Sequence, residues 1–281
     1  MSKTYANLDV LSFYKELPFN YYGSIETSAE NIKKRNSIEY HTVLPPLLKN
    51  QFKVIDVGCG CGSFVNAINY YYRKYGTSAI GIDYNTVALK QAREVASILD
   101  IASEFVETDL FNYRPKLLFD LVTSIGVLHH TDNCIEALRC ICKYYVANGG
   151  YIFIGLYHEY GRKPFLNHFN DLKLNGASEK TLMKEFKKLF RGYTDETHFA
   201  SWFFDQVMHP HETQHTLEKL IPVLHSENME LISTSINKFE PFDSENEICE
   251  VEKTLFDIGM QRLNEHSYYP GFFVFLARKK A

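Results

Sequence analysis

Short apolar runs and longer amphipathic stretches alternate through the first half of the chain. Phe52 to Val57 (FKVIDV) is an apolar run around Asp56 that meets Gly58, Gly60 and Gly62 at once, as a buried parallel strand does when it enters a tight turn. From Ser63 to Tyr75 apolar and aromatic residues recur at helical spacing. Ser78 to Asp83 (SAIGID) is a second strand-like run, and Asn85 is a good N-cap for a helix to Leu99. Phe105 and Val106 with Asp109 just beyond, Phe119 to Ile125 (FDLVTSI), a helix from about Asp132 to Ala147, and Gly150 to Leu156 (GYIFIGL) continue the rhythm. Such alternation predicts an α/β fold, a doubly wound and mostly parallel sheet with helices on both faces.

The rhythm breaks after Tyr157. About 50 residues rich in Gly, Asn, Lys and aromatics follow, then a helical pattern from about His211 to Glu227 and a strand at Met229 to Ile236. An amphipathic stretch carries Ile248, Val251, Leu255 and Ile258, and a last apolar strand, Gly271 to Ala277 (GFFVFLA), is expected to close the sheet edge. With no internal repeat or low-complexity linker, the expected organisation is an N-terminal cap segment over residues 1–50 and a sheet domain over 51–281. Helical cap insertions are expected at about 159–210 and 240–268.

At 281 residues the chain can bury a full core, which excludes a peptide hormone or a disulfide mini-scaffold. Its 21 Phe, 19 Tyr and 1 Trp are a surplus that can line a pocket as well as a core. The net charge of -4 provides no overall basic field, so nucleic acid would need a local patch. The opening MSKTYANLDV has neither the charged nor the apolar region of a signal peptide, and no stretch approaches the ~18 apolar residues of a membrane span, so a cytoplasmic location is expected. Cys59, Cys61, Cys134, Cys140, Cys142 and Cys249 suit neither a disulfide framework nor a Cys-x-x-Cys zinc knuckle and read as free thiols.

A strand end reading Asp56-x-Gly58-x-Gly60-x-Gly62 that opens a helix removes Cβ atoms at the turn and lets backbone approach a ligand. The dinucleotide pattern G-x-G-x-x-G is the nearest rival, but its third position would be Ser63 and the leading acid would have no task. VIDVGCGCGSF, GIDYN, ETDL and FDLVTSIGVLHHTDN, each at a strand end and in this order, resemble the motifs of the class I S-adenosylmethionine (AdoMet)-dependent methyltransferases over about residues 52–158. The resemblance implies the Rossmann-like methyltransferase fold, S-adenosyl-L-methionine as cofactor and transfer of its methyl group.

It also implies that Asp56, Gly58, Gly60 and Gly62 surround the cofactor. Asp83 would accept hydrogen bonds from both ribose hydroxyls, with Tyr84 against the adenine. Asp109 would receive the adenine amino group, with Leu110 packed on the ring, while the fourth motif, including Ser124, would run along the methionine portion. Arg35 is the expected partner of the methionine carboxylate. Cys59 and Cys61 depart from the small or hydroxyl residues more usual in this turn.

Methyl transfer from a sulfonium is an in-line displacement, so the protein must chiefly aim the nucleophile and exclude water. A base helps hydroxyl or protonated amine acceptors. His129 and His130, directly after the fourth strand, and His209 are the candidates; in the alternative reading the pair only braces the strand end. The stretch Trp202 to His215 (WFFDQVMHPHETQH) offers Asp205, Gln206 and His211 as acceptor contacts, with Tyr157 and Tyr22 as further pocket walls.

His211 to His215 also spells H-E-x-x-H, two imidazoles one turn apart if helical, yet Pro210 puts the first in an opening turn and no third ligand is signalled, so no metal is expected. Between Ser178 and Phe190 a helical pattern sets Lys180, Lys184, Lys187, Lys188 and Arg191 on one face. The expected acceptor is a small, partly aromatic or polar molecule. The alternatives are a tRNA, rRNA or protein acceptor held by the basic face, and a non-catalytic AdoMet-binding regulator; a donor carrying a carboxymethyl group would suit the same pocket.

Overall fold

In the computed structural model, which describes residues 7–16, 18–19, 23–191, 193 and 195–281, seven strands form a sheet in the order β3-β2-β1-β4-β5-β7-β6. The strands are β1 Lys53–Val57, β2 Ser78–Asp83, β3 Glu104–Glu107, β4 Phe119–Ile125, β5 Val146–Tyr157, β6 Met229–Thr234 and β7 Phe272–Lys279. The first five are parallel, and β7 runs antiparallel to both β5 and β6. Helices α1 Leu8–Glu16, α2 Ile25–Lys34 and α3 Leu44–Leu48 precede the sheet, and α4 Ser63–Tyr72, α5 Thr86–Ile98 and α6 Cys134–Tyr144 make its crossovers. After β5 come α7 Glu159–Leu174, α8 Glu179–Leu189 and α9 Glu196–Phe203; α10 Leu217–Ser226 leads into β6, and α11 Glu245–Lys253 and α12 Leu255–Asn264 into β7.

Successive residues of a buried strand face opposite sides, so Ile55 packs with Leu138, Ile141 and Leu220 on one face while Val54 packs with Ile68, Leu89 and Leu99 on the other. This two-sided core is the doubly wound arrangement that the alternation predicts. A third apolar cluster, built on Phe165, Phe169, Phe186, Phe199 and Phe203, holds α7, α8 and α9 together. Among the described residues no helix is long and apolar enough to cross a membrane, and all six cysteines are free.

Two expectations need correction. The last strand does not close the edge: residues Phe273–Ala277 are all buried, and β7 takes a partner on each side, whereas β6, whose Glu230 and Ile232 are exposed, forms the edge. The helix expected from His211 starts only at Leu217, behind the N-cap Thr216. Upstream of it the chain is irregular, and other elements claim its amides: Thr213 donates to the His129 carbonyl (2.8 Å) and His215 to that of Tyr157 (2.9 Å). His211 and His215 therefore do not share a helix face. The amphipathic stretch after Pro241 forms two helices that meet at Thr254.

Candidate active site

The C-terminal ends of β1, β2 and β4 open into a cavity of about 430 Å³, with Val10, Leu11 and Tyr14 of α1 in its wall. Its glycine turn is shaped by two requirements. At Gly58, φ +75°, a Cβ would stand 2.4 Å from a methyl of Val127, so only glycine lets the turn pack on the loop after β4. At Gly60, φ +50°, the space a Cβ would enter is empty, which leaves bare backbone at the cavity wall.

Asp56, Gly58, Gly60, Asp83, Tyr84, Asp109 and Leu110 all line this cavity. The Asp83 carboxylate is held by the amides of Gly60 and Asn85, each at 2.7 Å, and burial raises its pKa. Asp56 accepts from the Thr123 hydroxyl at 2.7 Å, and burial pushes its carboxyl up to about 7. Asp109 accepts from the Phe111 amide (2.9 Å) and Asn112 Nδ2 (3.0 Å).

Gly62 does not line the cavity; it packs toward Ala92 and Phe105 at the start of α4. Ser124 is buried, its hydroxyl donating to the Val57 carbonyl at 2.9 Å. The Arg35 guanidinium lies 4.2 Å over the Tyr40 ring, and Ser37 and His41, just after it, line the cavity instead. Three carboxylates and, among the described residues, no Lys or Arg face this space. It therefore fits a ligand with a positive centre and hydroxyl groups to donate, as a sulfonium nucleoside has.

A polar cluster adjoins the cavity beside α1. His130 lines it, stacks 3.8 Å on His209, and has Nδ1 2.9 Å from the His211 carbonyl. Burial lowers His130 to about 4 and His209 to about 3, so both imidazoles are neutral at neutral pH. His129 is fully buried, 4.3 Å from the Tyr157 ring, and among the described residues neither of its nitrogens has a hydrogen-bond partner.

Asp205 and Gln206 sit on a π-helical turn, Phe204–Met208, directly after α9. The Tyr14 hydroxyl donates to Asp205, which also receives Gln206 Nε2 (2.5 Å) and the Tyr157 hydroxyl (3.4 Å). Behind them the fully buried Arg162 donates to both carboxylate oxygens of Glu212 (3.1 and 2.9 Å) and to Gln206 Oε1 (2.9 Å), and lies 4.0 Å over Tyr157. Burial works against ionisation of Glu212, but the guanidinium outweighs it and holds the carboxyl below its usual range.

The structure thus brings His130, Tyr157, Asp205, Gln206 and His209 together. His211 Nε2 instead meets the Thr131 carbonyl at 3.1 Å, and Tyr22 lies outside the described residues. Tyr14, Arg162 and Glu212 escaped the sequence reading. Tyr14 lay within the aromatic SFYKELPFNYYGS, but no pattern pairs it with Asp205, and Glu212 was visible only inside a zinc-like spelling. Among the described residues no group of three or more His, Cys, Asp or Glu could hold a metal ion.

A family described as methyltransferase domain matches residues 48–191. Curated relatives include a tRNA U34 carboxymethyltransferase of Histophilus somni, 29% identical over 150 residues, which cover 51% of this chain and 43% of the relative. Phosphoethanolamine N-methyltransferase 1 of Arabidopsis thaliana is 27% identical over 155 residues, or 55% of this chain and 28% of the relative. The chain thus matches less than half the length of these relatives. Among solved structures, PKMT2 from Rickettsia typhi superimposes with a TM-score of 0.61 at 15% identity, over 94% of this chain and 55% of that one. Magnesium protoporphyrin IX methyltransferase from Synechocystis PCC 6803 with bound SAH gives 0.51 at 14%, over 90% and 83%. These likenesses show the Rossmann-like fold.

Proposed function

Because the chain belongs to the methyltransferase-domain family, we propose that it moves the methyl group of AdoMet to a small-molecule acceptor. One observation carries this reading: a cavity at the strand ends with three carboxylates, bare backbone at Gly60 and no cationic side chain among its described lining residues. When bound there, AdoMet would supply an electrophilic methyl on a sulfonium. Asp83 would hold the ribose hydroxyls, Tyr84 and Leu110 would lie against the adenine, and Asp109 would receive its amino group. Asp56 and the loop after β4 would face the methionine portion. The acceptor would enter beside Tyr14 and His130, under a cap to which we assign the N-terminal segment and helices α7, α8 and α9.

Two relatives' names speak of a tRNA and of phosphoethanolamine. Either acceptor carries phosphate, and phosphate recognition needs cations or directed amides. The exposed lysines of α8 are the alternative ground for a polyanion, but Lys188 pairs with Glu185 and Lys187 with Glu196. The small-molecule reading is therefore the better supported. Calorimetry with AdoMet and S-adenosylhomocysteine (AdoHcy) tests the cofactor, and a metabolite extract incubated with methyl-labelled AdoMet tests the acceptor. Binding of NAD without AdoMet would refute the reading.

A further inference from the structure

We propose that the acceptor is an organic amine that enters as its ammonium, and that Tyr14, with Asp205 behind it, takes the proton. This rests on the AdoMet reading above and names the acceptor class. Asp205 is 5% exposed and is held by three uncharged donors, Tyr14, Tyr157 and Gln206, with no cation paired to it among the described residues. Arg162, the cation of the cluster, is already matched by both oxygens of Glu212. Asp205 and Glu212 thus share one guanidinium, paired directly with Glu212, and among the described residues the buried cluster holds one carboxylate more than it has cations, which favours a ligand cation. Burial correspondingly pushes the Asp205 carboxyl up from its ordinary range, against the lowering effect of the Tyr14 hydroxyl.

The wall between this carboxylate and the cavity suits an ammonium. Tyr14 lines the cavity, and its ring lies 5.4 Å from that of His209, which the Phe13 ring also meets at 5.1 Å. Aromatic faces attract an ammonium through their quadrupole. His209 Nδ1 accepts from the His211 amide (3.1 Å), so its neutral ring carries the proton on Nε2 and contributes to this wall as an aromatic ring only. A carboxylate or phosphate on the acceptor would meet no Lys or Arg in the described lining. The π-helical turn that presents Asp205 is a departure from regular helix of the kind found most often at functional sites.

The proton balance closes. The ammonium gives one proton to the Tyr14 oxygen as the Tyr14 proton passes to Asp205, leaving a neutral amine with a lone pair and a neutral carboxylic acid. When nitrogen takes the methyl group it gains the positive charge that the sulfonium loses, and the carbon–sulfur pair stays on sulfur. After release of the methylated ammonium, Asp205 returns its proton to water.

The test uses AdoHcy-loaded protein and two skeletons, phenylethyl and butyl, each as amine, alcohol and carboxylate, with binding read by calorimetry. We expect the amine of at least one skeleton to bind about tenfold or more tighter than its alcohol and carboxylate. Asp205→Asn should remove that preference while AdoHcy affinity stays within about twofold, which reports a folded site. Tyr14→Phe should keep the preference but slow turnover of the bound amine by about 10²-fold at unchanged KM. Equal binding of the three forms in both skeletons with AdoHcy bound normally, a preference that survives Asp205→Asn, or unchanged turnover in Tyr14→Phe would overturn the proposal. Failure to bind AdoHcy would instead refute the cofactor reading on which it rests.

Discussion

Removing the Glu252 side chain should loosen the joint between the sheet and α10 without touching the cavity. Glu252 of α11 is fully buried; its Oε2 accepts from His158 Nε2 (2.9 Å) and the Leu217 amide (2.7 Å), and its Oε1 from the Glu218 amide (3.1 Å). His158 Nδ1 accepts from the amides of Tyr160 and Gly161 (3.2 and 3.3 Å), so its proton sits on Nε2. Glu252→Ala leaves two first-turn amides of α10 and one imidazole N–H without a partner. Each buried orphan costs about 1–3 kcal/mol, part of which entering water recovers, so the loss should be about 3–5 kcal/mol.

At about 2 °C per kcal/mol for a chain of this size, Tm should fall by about 6–10 °C. Glu252→Gln can keep its carbonyl oxygen on His158 and Leu217, while its amide would face the Glu218 N–H donor to donor. That single mismatch should cost about 1–2 kcal/mol, or about 2–4 °C. Scanning calorimetry measures both, with AdoHcy affinity as a control that should change by no more than about twofold. A fall below about 2 °C for Glu252→Ala, or a larger fall for Gln than for Ala, would refute the donor accounting.

Asp83→Ala should weaken AdoHcy binding by about 1.5–3 kcal/mol, since it removes a charged acceptor for the ribose and the anchor of the Gly60 amide; unchanged calorimetric affinity would move the ribose elsewhere. Burial lowers His215 from 6.5 to about 4. Between those values the unfolded chain binds the proton first, so stability falls as pH drops from 6.5 toward 4. Wild type should lose up to about 3 kcal/mol relative to His215→Gln over that window and nothing above about pH 7.5; parallel denaturation curves across it would refute the burial argument. Reversing the charge of Lys180, Lys184, Lys187 and Lys188 together should leave small-molecule turnover and its salt response flat. A steep loss of turnover with salt on tRNA, abolished by these reversals, would establish the polyanion reading instead.

The elements that surround the glycine turn were legible because their signals are local. Apolar runs mark β1, β2, β4 and β5, Asn85 caps α5 through the amides of Val87 and Ala88, and Asp56, Asp83 and Asp109 stand at or just beyond strand ends that converge on one cavity. The place of β7 was not legible, because an apolar run reports that both faces are covered and says nothing of which strands lie beside it. Helical periodicity at His211 was overridden by carbonyls of His129 and Tyr157, far away in sequence, which hold the amides of Thr213 and His215. The acceptor end was decided in the same way. Tyr14 meets Asp205 across 191 residues and Arg162 meets Glu212 across 50. Sequence alone determined which residue types were available, but only tertiary packing, by excluding water around them, made a buried carboxylate and neutral imidazoles out of ordinary polar side chains.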